Sequence, residues 1–281
     1  MKDRLFDVMM PILPKNDLSH LVGRLVHQPL PGAIGRKSVE LFAKYYRINL
    51  EEAEHPVSHY KTIGELFTRK LKPGVRPIGE GIVHPADSAI SEAGRIDNLT
   101  MVQAKGKNYT VPELLKSGHY AANFEGGAWL TYYLCPTDYH RVHSPVSGEI
   151  IWSAHVPGQL WPVNPWSVNK ISNLFAVNER IVVVIDTGKG LAALVMVAAT
   201  NVGNMSMTFD DSINSKYRAA ERETKERTYS PKIKIERGDE VGIFHMGSTV
   251  VMLYEKSLIN DIDVEQFKNR HVKMGQSLSE P

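Results

Sequence analysis

The 281-residue chain contains one cysteine, Cys135, and no long hydrophobic run. A single thiol excludes an intramolecular disulfide and a zinc module built from several cysteines. The longest apolar run, from Leu191 to Ala199, has nine residues, about half of what a membrane-spanning helix requires. The sequence therefore predicts neither a disulfide scaffold nor a segment that crosses a membrane.

Export signals and a strong net charge are also missing. Asp7 and Pro11 interrupt the apolar stretch at the N-terminus and no small-x-small cleavage site follows, so we expect a cytoplasmic chain. The 33 basic and 31 acidic residues give a net charge of +2, which does not favour a nucleic-acid partner. Basic residues exceed acidic ones in the first 50 residues, and this excess favours an anionic surface as a partner.

Three stretches in the first 78 residues have helical periodicity. The first follows Asp17, a favourable N-cap, and its apolar stripe consists of Leu18, Leu21, Val22, Leu25 and Val26. The second is expected to begin at Ser38, and its apolar face contains Val39, Phe42, Ala43 and Tyr46. The third begins with the capping box Thr62-x-x-Glu65 and is expected to end at Pro73-Gly74. Such stripes suit packing on the protein's own core or on a lipid interface.

From residue 79 to residue 281 the pattern changes to short β-type runs between turn residues. Residues 181–185 and 191–199 predict a hairpin, and residues 241–244 and 249–254 predict two strands on either side of His245-Met246-Gly247-Ser248. Residues 210–240, rich in both charge signs, predict an exposed loop or a short helix. Residues 83–90 and 142–150 form a weak internal echo, as two similar β-units would. We expect an α+β fold, with N-terminal amphipathic helices (1–78) before a mostly antiparallel β-rich core (79–281).

The densest group of ionisable residues is the run Asp138-Tyr139-His140-Arg141-Val142-His143. Three interpretations stay open at this point. The histidines can be structural and hydrogen-bonded, they can join Cys135 in a metal site, or they can act as a general acid and base. The spacing of Cys135, His140 and His143 is not a familiar zinc pattern, and a fourth ligand would be needed.

The second place for chemistry is Gly247-Ser248-Thr249, between the last two predicted strands. Its ordinary interpretation is a tight turn or a bulge in which Gly247 supplies an unusual backbone conformation. The alternative is chemical: the Gly247 carbonyl, next to a residue without a side chain, is open to attack by the Ser248 hydroxyl. That attack needs a base, and a histidine oriented by a carboxylate is the usual arrangement. Asp87 and His143 could supply both.

Over nearly its whole length the sequence resembles the phosphatidylserine decarboxylases. The matching stretches are Thr62 to Leu71, His84-Pro85-Ala86-Asp87, Ile90-Ser91, Gln103-Ala104-Lys105-Gly106, Tyr109, Tyr133, Pro136, Asp138 to His143, Pro145, Val156-Pro157-Gly158, Leu160, Leu174-Phe175-Ala176, Asn178-Glu179-Arg180, Asp186-Thr187, Ala199-Thr200, Val202-Gly203, Gly238, Glu240, Gly242, Phe244 and Gly247-Ser248-Thr249. Two positions depart from the family pattern: Met246 replaces a common leucine and Ser88 a common glycine. Neither change touches a reacting atom, and Met for Leu conserves volume.

The resemblance implies a proenzyme that cuts itself between Gly247 and Ser248 into chains 1–247 and 248–281. In this scheme Asp87 orients His143, and His143 deprotonates Ser248. An ester forms, elimination leaves dehydroalanine, and hydrolysis gives a pyruvoyl group, the covalent cofactor formed from Ser248. No metal is implied.

The implied reaction is the conversion of phosphatidylserine to phosphatidylethanolamine and CO2 through a Schiff base, with His140 in proton transfer or in contact with the substrate carboxylate. The implied partners are an anionic phospholipid surface, the phosphatidylserine substrate and the chain's own cleaved fragment, as a heterodimer that could dimerise further. The protein would then be peripheral, on the cytoplasmic face of the cell membrane. Trp161 and Trp166 could lie at the lipid boundary.

Two main alternatives remain beside this interpretation, in addition to a metal-dependent hydrolase, which loss of activity with a chelator would favour. One is a pyruvoyl-dependent decarboxylase of a soluble amino acid, which a vesicle assay against free amino acids would separate. The other is a non-catalytic membrane-binding protein of the same fold, which predicts a single uncut chain of 281 residues.

Overall fold

The computed structural model describes residues 26–104, 106–200, 204–215, 223–245 and 249–279. In these ranges no helix is both long enough and apolar enough to span a bilayer. The first predicted stripe, from Leu18 to Leu25, lies outside the described residues, as do Gly247 and Ser248.

The described helices are short except for the first. They are α1 (Gly32–Tyr45), α2 (Ile63–Phe67), α3 (Val111–Leu115), α4 (Gly118–Ala121), α5 (Pro165–Lys170), α6 (Leu174–Val177) and α7 (Lys256–Ile259). The strands are β1 (Ser88–Arg95), β2 (Thr100–Ala104), β3 (Lys107–Thr110), β4 (Ala128–Tyr133), β5 (Arg141–His143), β6 (Gly148–Val156), β7 (Arg180–Asp186), β8 (Leu191–Val197), β9 (Met205–Met207), β10 (Lys225–Ile235), β11 (Glu240–Phe244), β12 (Thr249–Tyr254) and β13 (His271–Val272).

The strands form antiparallel sheets, which confirms the predicted α+β class. The main sheet has eight strands in the order β10-β6-β7-β8-β12-β4-β1-β13. A three-stranded sheet has the order β5-β11-β9, and β2 pairs with β3. β7, β8, β12 and β4 are almost entirely apolar and buried, as expected for inner strands covered on both faces.

The two strands predicted around Gly247-Ser248 are present, but they belong to different sheets. β11 pairs with β5 and β9 in the small sheet, whereas β12 lies between β8 and β4 in the large one. The chain therefore leaves the small sheet at Phe244 and enters the large one at Thr249. The predicted hairpin over residues 181–199 is confirmed as β7 and β8.

The prediction of a loop or short helix for residues 210–240 is wrong over residues 225–235. These residues form β10, an eleven-residue strand at the edge of the main sheet. Most of its side chains are exposed, and Lys, Arg and Glu on an edge strand discourage pairing with other chains. The charged residues that suggested a loop therefore protect the edge of the main sheet from pairing with another chain.

In the N-terminal region α1 and α2 overlap two of the three stretches predicted to be helical, with bounds that differ from the prediction. α1 begins at Gly32, so Ser38 is not a cap; its hydroxyl donates to the Gly35 carbonyl inside the helix. Thr62 caps α2 by accepting from the Glu65 N–H, but the helix ends at Phe67, before the predicted Pro73-Gly74 stop. Residues of both helices share a small hydrophobic cluster that consists of Val39, Ala43, Ile48, Tyr60 and Leu66.

Candidate functional site

Asp87 ends the segment that leads into β1, and it is almost completely buried. Its carboxylate is bound by three groups. Arg76 donates from Nε to Oδ1 at 2.9 Å and forms an ion pair with Oδ2 through Nη2. Lys273 Nζ lies 3.2 Å from Oδ2, and the Met274 N–H donates to Oδ1 at 2.9 Å. Arg76 also binds Glu52, so a chain of charges connects Glu52 to Asp87.

The surroundings of Asp87 keep it ionised. Burial by itself would raise the pKa of this carboxyl. The hydrogen bonds from Arg76 and the Met274 amide, with the charges of Lys273 and Arg76, outweigh burial and hold the pKa below its usual value. A negative charge is therefore fixed beside β1 at neutral pH.

His143 lies on β5 and is held in one tautomer. Its Nδ1 is 2.7 Å from the Gly238 carbonyl, which can only accept, so Nδ1 carries the proton. Its Nε2 is 3.2 Å from the Tyr139 hydroxyl and accepts from it. Burial lowers the pKa of His143, more than the hydrogen bond to Gly238 raises it. The ring is thus neutral near pH 7, with a basic Nε2, which is the state a general base requires.

The structure brings Asp87 and His143 onto neighbouring segments without joining their side chains by a hydrogen bond. The two segments of the internal echo pair antiparallel: His143 N–H donates to the Pro85 carbonyl at 2.8 Å, and Val83 N–H to the Pro145 carbonyl at 3.0 Å. The charge of Asp87 still acts on His143 and favours its protonated form. The partner that orients the His143 ring is the Gly238 carbonyl, and orientation by Asp87 stays a prediction.

His140 is completely buried, and its ring packs on Phe67 with 3.8 Å between centroids. Nδ1 donates to the Asp138 carbonyl at 2.9 Å, and Nε2 has no hydrogen-bond partner among the described residues. Burial lowers the pKa of His140 to about 3, so the ring is neutral at physiological pH. Its carbonyl accepts from the Phe244 N–H at 3.0 Å, which ties it to the strand before Gly247.

His245, two residues before Gly247, was not predicted from the sequence. Its Nε2 lies 2.9 Å from the Ser206 hydroxyl, and its ring meets His27 edge-on at 5.6 Å. Burial and the nearby His27 lower its pKa to about 4. The ion partners Arg76 and Lys273 were missed as well, since no spacing or motif connects either of them to Asp87.

A cavity of ≈ 480 Å³ lies beside the start of β12. Thr249, the residue after Ser248, lines it, and so does Tyr133, its neighbour across the β12–β4 ladder. The remaining wall is formed by Ala89, Ile90, Ser91, Glu92, Gln103, Ala104, Val163, Asn164, Val168, Asn169, Phe175 and Asn269. The Gln103 amide fixes part of this wall by donating to the Val168 and Ile171 carbonyls and accepting from the Leu174 N–H.

The remaining predicted positions are easily placed. Trp161 and Trp166 are half-buried, and Trp161 packs on the main hydrophobic core. Cys135 does not converge with His140 and His143, whose Nδ1 atoms face carbonyls; within the described ranges it groups with Asp138 and His271.

Comparison with known proteins gives one consistent result. Residues 63–280 match the sequence model of the family described as phosphatidylserine decarboxylase. A phosphatidylserine decarboxylase proenzyme of Myxococcus xanthus is 43% identical over 258 residues, 91% of each chain, and one of Anaeromyxobacter sp. is 44% identical over 260 residues, again 91% of each. One of Vibrio parahaemolyticus is 38% identical over 273 residues, 94% of each. The chain belongs to the phosphatidylserine decarboxylase family.

Proposed function

We propose that the chain is a proenzyme that cuts itself between Gly247 and Ser248 and then converts phosphatidylserine to phosphatidylethanolamine and CO2. The observation that carries the proposal is the position of Thr249. This residue follows Ser248 directly, begins an inner strand of the main sheet, and lines the ≈ 480 Å³ cavity. A reactive group made from Ser248 would be attached at the edge of a cavity that can receive a substrate.

The self-cleavage uses residues of the chain alone. His143 takes the hydroxyl proton of Ser248, and the oxygen attacks the Gly247 carbonyl, so the amide becomes an ester with a free amine at residue 248. Loss of the Ser248 α-proton expels the Gly247 carboxylate and leaves dehydroalanine. Water then replaces the amine, with release of ammonia. The neutral His143 ring, with its proton on Nδ1 and a basic Nε2, suits the first step.

The residues at the cavity fit a pyruvoyl group at position 248. The Thr249 hydroxyl oxygen is buried and has no hydrogen-bond partner among the described residues, so the start of β12 has spare hydrogen-bonding capacity. The ketone would supply the electrophile that condenses with the substrate amine as a Schiff base and accepts electrons as CO2 leaves.

His140 remains a candidate for proton transfer or for contact with the substrate carboxylate. The ring is uncharged at neutral pH because burial lowers its pKa, so a contact with the carboxylate would not be an ion pair. With Nδ1 donating to the Asp138 carbonyl, Nε2 is the nitrogen that can accept and return a proton.

The outward face of α1 supports docking on an anionic membrane at the cytoplasmic face of the cell. Ile34, Leu41 and Tyr45 are 66%, 65% and 79% exposed, and their spacing of seven and four residues places them on one face of the helix. Lys37 and Lys44 are on the same helix, as expected for a helix at an anionic lipid surface.

The decisive experiment is the intact mass of the purified protein with and without Ser248→Ala, combined with a vesicle decarboxylation assay. We expect two chains, of 247 and 281 − 247 = 34 residues, for the unsubstituted protein and one inactive chain for the variant. An uncut yet fully active protein would overturn the proposal. Turnover of free amino acids but not of phosphatidylserine vesicles would instead select the soluble-substrate alternative.

The docking surface is tested by the double substitution Leu41→Glu and Tyr45→Glu. We expect weaker sedimentation with anionic vesicles and unchanged self-cleavage. Val102→Glu is the matched control, because Val102 is a 41% exposed apolar residue on β2. Equal vesicle binding by all three proteins would reject this role for α1.

A further inference from the structure

Cys135, Asp138 and His271 form a cluster whose side chains have no part in the proposed reaction. The thiol sulfur, a carboxylate oxygen and an imidazole nitrogen lie within 4.8 Å of one another. Cys135 and Asp138 are held together by a tight turn, in which the Asp138 N–H donates to the Cys135 carbonyl at 2.9 Å. His271 comes from a distant part of the chain, as the first residue of β13 at the edge of the main sheet.

We propose that this cluster is a Zn²⁺ site in which Cys135, Asp138 and His271 provide three ligands and water the fourth. Sulfur, nitrogen and oxygen donors of these types are the usual ligands of this borderline-soft ion. With normal zinc–ligand bond lengths, tetrahedral donors are separated by about 3.5 Å. The donors of the cluster lie up to roughly one ångström farther apart than that, a difference that rotations about the side-chain bonds of the half-buried Cys135 and the exposed His271 can remove.

The exposure of the three residues and the hydrogen bond that holds the Asp138 carboxylate are both compatible with a bound ion. Cys135 is half-buried and His271 is exposed, so an ion from solvent can reach the site, while Asp138 is only 6% exposed. Asp138 Oδ2 accepts from the Cys135 N–H at 2.8 Å, which fixes the carboxylate in place as outer-shell hydrogen bonds do in metal sites. Lys273 is the nearby cation that opposes binding, and Asp87 already neutralises it.

The position of the ligands gives the ion a structural role. Cys135 and Asp138 precede the Gly247–Ser248 bond, and His271 follows it. If the chain is cut as proposed above, the ion would bridge the long and short chains next to the Lys273–Asp87 ion pair, which bridges them too. This consequence depends on the proposed cleavage, whereas the binding of zinc does not.

The test uses the full-length Ser248→Ala chain and the purified wild-type protein, both stripped with a chelator and titrated with Zn²⁺ against a colorimetric zinc indicator. We expect one tightly bound ion per protein molecule in both, whether the chain is cut or intact. Cys135→Ser and His271→Asn should weaken binding by more than the about 10-fold that loss of an outer-shell partner costs. His59→Asn is the matched control, because His59 is an exposed histidine outside the cluster, stacked on His55 with 3.9 Å between ring centroids.

Co²⁺ provides a second readout that does not depend on affinity. Bound through the Cys135 thiolate, it should give a thiolate-to-cobalt charge-transfer band that Cys135→Ser abolishes and His59→Asn keeps. Zinc binding that is absent, or unchanged in Cys135→Ser and His271→Asn, would overturn the site. The Ser248→Ala chain separates this outcome from failure of the proposed cleavage, which would leave zinc binding intact.

Discussion

The main sheet and the N-terminal helical layer, which consists of α1 and α2, differ in how completely they bury their apolar side chains. In the sheet, all six residues of β12 are buried between β8 and β4. In the helical layer, five residues form the small cluster of α1 and α2, while Ile34, Leu41 and Tyr45 stay exposed on the outer face of α1. The sheet buries its apolar residues within itself, whereas the helical layer leaves these three large apolar side chains exposed. Arg76, bound to both Glu52 and Asp87, ties the two regions together.

The largest expected effect comes from truncating a core side chain in each region. Leu253 in β12 and Leu66 in the helical cluster are both fully buried. We expect Leu253→Ala to lower the free energy of unfolding by about 2–5 kcal/mol, because the inner strand cannot collapse around the cavity. Leu66→Ala should loosen the helical layer alone, which urea unfolding combined with limited proteolysis would show. If Leu66→Ala shifted the main unfolding transition as much as Leu253→Ala does, the two regions would not differ in this way.

Acid should weaken the sheet region through its buried histidines. Burial lowers the pKa of His84 to about 4, whereas an unfolded histidine titrates near 6.5. Between these values the unfolded chain binds a proton that the folded chain does not, so stability is complete above about pH 6.5 and falls towards pH 4, by roughly 3 kcal/mol at most for this residue. Melting temperature against pH measures the effect. His84→Gln should flatten the profile, and the exposed His119→Gln should not.

The ion pairs between the two regions should contribute less. Asp87→Asn removes the charge that holds Arg76 and Lys273, and we expect a loss of about 1–3 kcal/mol, discounted because Lys273 is half exposed. The lowered pKa of Asp87 places this contribution above pH 4 and removes it as the carboxyl is protonated in stronger acid. Glu52→Gln, which removes the more exposed partner of Arg76, should cost less in the same urea titration. A larger loss for Glu52→Gln would contradict this order.

The smallest effect is expected on the outer face of α1. Leu41→Gln should change the free energy of unfolding by no more than about 0.5 kcal/mol, because the side chain is already exposed and glutamine is a good helix former. Thermal unfolding without lipid measures this. A loss similar to that of Leu66→Ala would mean that this face packs on the protein itself.

Runs of apolar residues in the sequence predicted the strands correctly where those strands are buried inside the sheet. The branched run at residues 181–185 and the apolar run after Lys189 became β7 and β8, since both lie inside the sheet. The same reasoning failed for β10, because an edge strand needs few apolar residues and its pairing with β6 is a long-range contact. The start of α1 was misplaced at Ser38, since Gly32 and Pro31 carry no capping side chain to mark it.

The family pattern supplied candidate reacting residues, whereas the groups that hold them in place became visible only in the structure. The family pattern pointed to Asp87, His140 and His143, which lie close to β5 and to the strand before Gly247. Arg76 and Lys273 reach Asp87 from 11 and 186 residues away, and the Gly238 carbonyl reaches His143 from 95. Contacts of this kind form only when the chain folds. No sequence motif shows which backbone carbonyl will accept a hydrogen bond from a distant side chain.

The order of strands in the main sheet has a consequence for synthesis. β12 is the twelfth strand to be made, yet it fills the fifth place in the sheet, between β8 and β4. Until it arrives, two inner strands lack a neighbour, and pairing across so long a stretch of chain is slow. The gap between β8 and β4 therefore cannot close until residues 249–254 have been synthesised.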